Sequence, residues 1–154
     1  EGFGFCGSTE DGTPLRDRQL KAMEHLVPWA GVDDLTAARL IAAQDIDILI
    51  DLQGLTSGAR PDILSWRPAR HQITYLGFPA TTGLPSIDHV IADRFVMPEA
   101  LQPFMTEKPL YLPHCYQASD RQRPVGAMPK RADYQLPDDA FVFCSFNNNF
   151  KMTQ

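Results

Sequence analysis

The sequence contains little cysteine, and its cysteines follow no metal-binding or disulfide pattern. Only three occur in 154 residues, Cys6, Cys115 and Cys144, and they lie far apart. An odd, isolated set is typical of structural thiols in a reducing compartment, so we expect a cytoplasmic protein. Ligand spacing is also absent among the four histidines. We therefore expect no bound metal and no cofactor.

Long apolar runs and excess positive charge are lacking as well. The longest apolar candidate, residues 46–52, is far shorter than a membrane span and contains Asp47 and Asp51. The formal net charge of -5 disfavours a broad nucleic-acid surface. We therefore expect neither a membrane nor a nucleic acid among the partners of this protein.

Standard catalytic constellations are missing too. No serine or cysteine lies in a nucleophile-elbow motif. Asp88 and Asp93 are placed near opposite ends of one predicted strand, which favours structural or end-capping roles over an acid/base pair. His114 follows a predicted strand. A surface or hydrogen-bonded histidine is the favoured interpretation, and a histidine that reaches a cleft is the alternative.

Predicted strands alternate with predicted helices along the chain. The strands are expected at residues 3–6, 46–52, 71–75, 88–92, 108–112 and 141–146. The helices are expected at residues 15–27, 35–43 and 62–66, the second capped by Asp33 or Asp34. The nearly continuous apolar character of residues 46–52 suits a strand covered on both faces. Together these patterns predict an α/β fold with a parallel sheet.

A polar, proline-containing stretch divides the chain. Residues 117–133 are predicted to form a linker between residues 1–116 and a new unit at 134–154. The sequence does not begin with Met, and few residues follow the predicted strand at 141–146. We therefore expect a segment of a larger protein.

The first candidate loop follows the strand at residues 46–52 and contains Gly54 and Gly58. The spacing G-x-x-x-G is not a nucleotide fingerprint. We favour a tight turn in which Arg60 binds a carboxylate or carbonyl groups. A ligand-binding loop is the alternative.

The second candidate loop, Leu76–Gly83, follows the strand at residues 71–75. It combines Gly77, Pro79 and the hydroxyls of Thr81 and Thr82. Backbone N–H groups and hydroxyls in such a loop are suited to a sugar or a phosphate. On these residues alone a structural turn is an equally good interpretation.

The third candidate lies after the predicted strand Phe141–Phe146, where an asparagine run leads to Lys151. Open α/β sheets bind ligands at the carboxyl ends of their strands, and a lysine there can hold a phosphate as a point charge. A solvent-exposed surface lysine is the alternative.

Together these segments resemble the catalytic region of the protein O-GlcNAc transferase family, in its bacterial branch next to the plant SPINDLY-type proteins. The resemblance rests on residues 46–60, 67–69, 76–83, 88–93, 111–114 and 136–151. It implies a GT-B fold made of two Rossmann-like domains. Residues 1–116 would supply most of the N-terminal domain, and residues 134–154 the first strand of the C-terminal one.

The resemblance also implies an activity. The family transfers GlcNAc from UDP-GlcNAc to Ser or Thr of a protein or peptide without a metal, and tetratricopeptide repeats usually precede its catalytic region. It places Leu76 and Gly77 beside the donor sugar, in the loop that also carries Pro79 and Thr81. It places Asn148 near the nucleotide and makes Lys151 the residue that holds the donor diphosphate.

Three residues differ from the family pattern, so the sequence does not decide which sugar nucleotide is the donor. Leu55 stands in place of a common His or Tyr, Ala80 in place of a Gly, and Asn148 in place of a Gln. An O-fucosyltransferase that uses GDP-fucose is one alternative, and a non-catalytic binding or scaffolding domain is another. The family's upstream segment with its active-site His is not in this sequence, so we expect the isolated chain to be inactive.

Overall fold

The chain folds as two compact units. The computed structural model describes residues 1–7, 12–146 and 148. The units are Glu1–Ala118 and Ser119–Gln154. The first contains all the strands of the described chain and every candidate loop residue from Gly54 to Gly83.

Strands and helices alternate in the first unit as far as its fourth strand, which is followed directly by the fifth. Its strands are β1 Phe3–Cys6, β2 His25–Pro28, β3 Ile48–Asp51, β4 His71–Thr74, β5 His89–Ala92 and β6 Lys108–Tyr111. Its helices are α1 Pro14–Lys21, α2 Asp34–Ala42 and α3 Asp62–Ser65, and a 3-10 helix spans Glu99–Phe104. No helix in the described ranges is long and apolar enough to cross a bilayer.

All strand pairings are parallel, which confirms the predicted α/β class. β1 pairs with β2, with Phe3 opposite His25. A second sheet has the order β3-β4-β5-β6. Its register places Ile48 opposite His71 and His89 opposite Lys108. Parallel neighbours bring the carboxyl ends of β3 to β6 to one edge, where the candidate loops begin.

The core forms where α2 and α3 pack on β3. Asp33 caps α2, and its Oδ1 accepts a 2.8 Å hydrogen bond from the Thr36 amide. The buried face of α2 carries Ala37, Ala38 and Ile41, and these residues share one cluster with Leu49 and Ile63. The small alanines allow the helix backbone to approach the sheet closely. This packing therefore positions β3 and the loop that follows it.

The prediction of a helix over residues 15–27 was wrong in its second half. α1 ends at Lys21 and has no buried residue. The chain then forms β2, and the His25 amide donates to the Gly2 carbonyl at 3.1 Å. The rings of Phe3 and His25 stack 4.5 Å apart. Residues 25–27 therefore pair with β1 rather than extend α1, because the apolar side of α1 has no buried residue that would stabilise a longer helix.

The prediction of a strand over residues 141–146 was also wrong. The described part of the second unit contains the 3-10 helix Arg131–Tyr134, and Arg131 Nη1 donates to the carbonyls of Pro137 and Ala140. Residues 141–146 have no regular secondary structure. A strand requires a hydrogen-bonded neighbour, and none is present in the described part of this unit. The predicted domain limits at 116, 133 and 134 stay predictions.

We expect the isolated chain to associate with itself. Phe141, Phe143 and Phe146 are exposed at 81%, 90% and 98%, and contiguous exposed apolar surface favours association. Replacing Phe141 and Phe143 together by Ser should shift sedimentation velocity profiles towards monomer. Val125→Ser, which changes one residue exposed at 90%, is the matched control. A wild-type chain that stays monomeric at all concentrations would contradict this.

Candidate functional site

The candidate site lies at the carboxyl ends of β3 and β4, where the candidate loops begin. The strands form two separate sheets, one of β1 and β2 and one in the order β3-β4-β5-β6. A cavity of about 900 Å³ lies between β1 and β3, and Gln53, Gly54 and Tyr75 are among its lining residues. Open α/β sheets bind their ligands at the carboxyl ends of their strands.

The loop after β3 begins with a tight turn held by Asp51. The Asp51 carboxylate accepts hydrogen bonds from the amides of Gln53 at 3.0 Å and Gly54 at 2.8 Å. Gly54 has φ +55° and Gly58 has φ +80°, a backbone region that glycine enters without steric cost. Both glycines therefore serve the turn, as the favoured interpretation predicts.

Arg60 ties this loop to the start of α2. Its Nε donates to Asp34 Oδ1 at 2.6 Å, and its Nη2 donates to the Val32 carbonyl at 2.7 Å. Its guanidinium also lies 6.0 Å from the ring centroid of Trp29. The prediction that Arg60 binds a carboxylate or carbonyl groups is confirmed, since it binds one of each. These two hydrogen bonds hold the end of the loop against the start of α2.

The loop after β4 opens on a strained turn at Leu76. Leu76 has φ +63°, and the Gly77 amide donates to the Tyr75 carbonyl at 2.8 Å. A hydrogen bond across two residues closes a γ-turn, whose form with positive φ is rare. A side chain in this region costs on the order of 1–3 kcal/mol, and such strain clusters at functional sites.

Two glycines allow the loop after β3 and the loop after β4 to lie in close contact. A Cβ on Gly77 would overlap the Leu52 carbonyl oxygen and lie 2.6 Å from the Cα of Gln53. A Cβ on Gly54 would lie 2.6 Å from the Cβ of Phe78. The structure therefore brings Leu76 and Gly77 against the turn that lines the cavity.

The remaining residues of the Leu76–Gly83 loop are placed differently. Pro79 is exposed. Thr81 lies beside the residues that precede β6, where its hydroxyl donates to Glu107 Oε2 at 2.7 Å and lies 2.9 Å from Thr106 Oγ1. The hydroxyl of Thr81 is thus engaged in this conformation. The substrate-binding roles of Leu76, Gly77, Pro79 and Thr81 stay predictions.

The other two predicted site residues belong to the second unit. Asn148 is exposed and lies in no helix or strand. Lys151 lies outside the described residues. Their predicted roles at the nucleotide and the diphosphate stay predictions.

Asp88 and Asp93 have the structural roles that their spacing predicts. Asp88 accepts from the Gln72 amide and from Arg67, both at 2.9 Å. The bond from Gln72 is the main cause that lowers the pKa of Asp88. Asp93 accepts from the amides of Val96, Tyr116 and Phe95. These bonds, led by the one from Val96, lower the pKa of Asp93.

The structural roles of two residues in this region, Tyr75 and Glu107, were not predicted from the sequence. The Tyr75 hydroxyl donates to the Tyr116 carbonyl at 2.6 Å and accepts from the Ala118 amide at 3.1 Å. Glu107 is only 3% exposed and accepts three hydrogen bonds from Thr81 and Thr82. Each partner lies at least 25 positions away in sequence, so local patterns contain no signal for them. His114, by contrast, is simply exposed.

Comparison with known proteins shows extensive similarity to one family. The sequence model described as Glycosyl transferase family 41 matches residues 1–126. The Arabidopsis thaliana protein SEC, a probable UDP-N-acetylglucosamine–peptide N-acetylglucosaminyltransferase, is 38% identical over 99% of this chain. A Caenorhabditis elegans UDP-N-acetylglucosamine–peptide N-acetylglucosaminyltransferase is 37% identical over 78% of it. The chain spans only 16% and 10% of the lengths of these two relatives.

A solved structure supports the fold. It is that of a mutant O-GlcNAc transferase from Thermobaculum terrenum, which matches with a TM-score of 0.70 and 24% identity. The match covers 74% of this chain and 22% of the solved chain. The predicted GT-B type of α/β fold is thereby confirmed over the matched part.

Proposed function

We propose, because this chain belongs to glycosyl transferase family 41, that it forms part of a protein O-glycosyltransferase. The enzyme would transfer GlcNAc from UDP-GlcNAc to Ser or Thr of a protein. Its curated relatives named above are UDP-N-acetylglucosamine–peptide N-acetylglucosaminyltransferases. Because the chain covers a small share of their length, the remainder of the longer protein would complete the acceptor site.

The proposal rests on the contact between the two loops that follow β3 and β4. The γ-turn at Leu76 stands where the loop after β4 meets the turn after β3. A fold retains a strained leucine only where the surroundings enforce it. At this position Gly77 lies against Leu52 and Gln53, which line the cavity. The carboxyl ends of parallel strands are where open α/β sheets bind ligands. We assign that edge to the donor sugar.

The chemistry of the proposed reaction requires a cation. As the sugar leaves its diphosphate, negative charge grows on the departing oxygen. A fixed positive group at that place stabilises the transition state more than the ground state. We propose Lys151 for this role and Asn148 for contact with the nucleotide. Both residues follow from the family resemblance, in which the lysine holds the diphosphate.

Two further features of the longer protein are part of the proposal. We propose that tetratricopeptide repeats precede the segment described here, as the family resemblance implies. We also propose a cytoplasmic location, because the cysteines are few and their spacing follows no disulfide pattern. Electron microscopy of the longer protein and fractionation of its host cells test these two features directly.

A donor titration tests the proposed function. UDP-GlcNAc, GDP-fucose and UDP are titrated by calorimetry into the longer protein that carries this chain. We expect UDP-GlcNAc to bind more tightly than GDP-fucose. Preference for GDP-fucose would overturn the GlcNAc assignment in favour of an O-fucosyltransferase. Binding of neither sugar nucleotide would favour a non-catalytic domain.

A further inference from the structure

Glu107 is a buried carboxylate placed at the far end of the candidate donor loop. It lies immediately before β6 and is 3% exposed. Its Oε1 accepts from the Thr82 amide at 2.7 Å and also from the Thr82 hydroxyl, and its Oε2 accepts from the Thr81 hydroxyl at 2.7 Å. All three donors come from two adjacent residues of the loop Leu76–Gly83.

Three hydrogen bonds donated to the Glu107 carboxylate favour its ionised form. Burial raises the pKa of Glu107, but hydrogen bonds from Thr82 and Thr81 outweigh burial and leave the pKa below its usual value. Hydrogen bonds to an ionised acceptor are about twice as strong as neutral ones. A buried charge is tolerated only when it is well hydrogen-bonded. Separating the loop from Glu107 would therefore leave an uncompensated charge.

The hydrogen bonds spread from Glu107 into the rest of the loop. The Gly83 amide donates to Thr81 Oγ1 at 3.2 Å, and the Leu84 amide donates to Thr82 Oγ1 at 3.3 Å. At the other end the Tyr75 amide donates to the Asp51 carbonyl at 2.9 Å. The segment 76–80, which contains the γ-turn, is thus held between two fixed ends. Fixing both ends removes most of the conformations open to so short a segment.

We propose that Glu107 is a positioning residue that sets the donor-binding turn at Leu76 and Gly77 by anchoring Thr81 and Thr82. This inference rests on the proposed function, because it assigns the turn to the donor sugar. Because the Glu107 carboxylate accepts from Thr81 and Thr82, it acts through the loop. Its role is to keep the loop in one conformation, so that a donor does not have to order the loop when it binds.

Amide hydrogen exchange on the 154-residue chain tests the anchor without any activity assay. Glu107→Gln keeps the shape of the side chain but removes one acceptor oxygen and the charge. We expect exchange at Thr82, Gly83 and Leu84 to become about tenfold faster or more, as lost hydrogen bonds to a charged group imply. Unchanged exchange at these amides would overturn the anchor.

Donor kinetics in the longer protein test what the anchor does. Glu107→Gln should raise the KM for UDP-GlcNAc about tenfold, a loss equivalent to about 1.4 kcal/mol, with a smaller change in kcat. Thr82→Val should behave like Glu107→Gln, and Thr82→Ser, which keeps the hydroxyl, should remain close to wild type. These two variants decide the matter if Glu107→Gln does not fold.

Asp88→Asn is the matched control. Asp88 is also a hydrogen-bonded acid, but its carboxylate accepts from Arg67 and Gln72, which lie outside the loop Leu76–Gly83. Asp88→Asn should lower stability without changing donor KM or exchange at residues 82–84. Faster exchange in Glu107→Gln with an unchanged KM would overturn the role in donor binding. If the wild-type protein transfers no sugar, the proposed function fails, while the exchange result still decides the anchor.

Discussion

Lys151→Ala should lower kcat for sugar transfer by on the order of 10²–10³, the usual cost of removing one preorganised group that stabilises charge in the transition state. The proposed lysine faces charge that grows as the diphosphate leaves. Its contribution is therefore larger in the transition state than in the ground state. We expect the KM for the acceptor protein to change little. Steady-state kinetics of the longer protein with UDP-GlcNAc provide the measurement.

Two further variants sharpen this test. Lys151→Arg should restore only part of the activity, because a planar guanidinium does not reproduce a compact ammonium. Lys21→Ala, which removes an exposed lysine from the last turn of α1, should leave kcat unchanged. If Lys151→Ala keeps a near-normal kcat with every donor, Lys151 is a surface residue and its proposed role ends.

Gly77→Ala should destabilise the first unit and abolish tight donor binding. The added Cβ would overlap the Leu52 carbonyl and lie 2.6 Å from the Cα of Gln53. Backbone atoms cannot move aside as the end of a flexible side chain can. Overpacking of this kind costs about 1–3 kcal/mol. Because the two loops would separate at the γ-turn, we expect loss of UDP-GlcNAc binding in addition to a lower Tm.

Gly83→Ala is the control for Gly77→Ala. Gly83 has φ +68°, and a Cβ there would meet nothing within 4 Å. Its substitution adds backbone strain of roughly 1–2 kcal/mol but no collision. Thermal unfolding and calorimetric titration of both variants compare the two effects. Equal donor affinities for the two variants would show that contact between the loops does not shape the site.

Local signals in the sequence were sufficient for elements whose causes are local. The N-cap of α2 was narrowed to Asp33 or Asp34, since capping involves side chains and amides only three residues apart. The strand around Ile48–Asp51 followed from a β-branched run that is typical of parallel sheets. The sequence predicts that Arg60 binds a carboxylate or carbonyl groups, but it does not identify Asp34 and Val32 as the residues that supply them.

Elements that depend on a distant neighbour were not predicted correctly. Residues 25–27 belong to a predicted helix, yet they form part of β2 because β1 is available to pair with them. Residues 141–146 have a strand pattern, yet they form no strand because the described part of their unit offers no edge. In both cases β structure depends on the partner more than on the propensity of the segment itself.

The sequence alone determined the fold class, the N-cap of α2 to within one residue, the turn glycines and the family resemblance. Each depends on patterns among residues that are close together in the chain. Only the tertiary structure decided which groups meet. It placed Gly77 against Leu52, Arg60 against Asp34, and Glu107 beneath Thr81 and Thr82. These contacts join segments about 25 residues apart. They arise because the carboxyl ends of neighbouring parallel strands lie at the same edge of the sheet, so that loops distant in sequence come into contact. A local sequence pattern cannot specify such contacts.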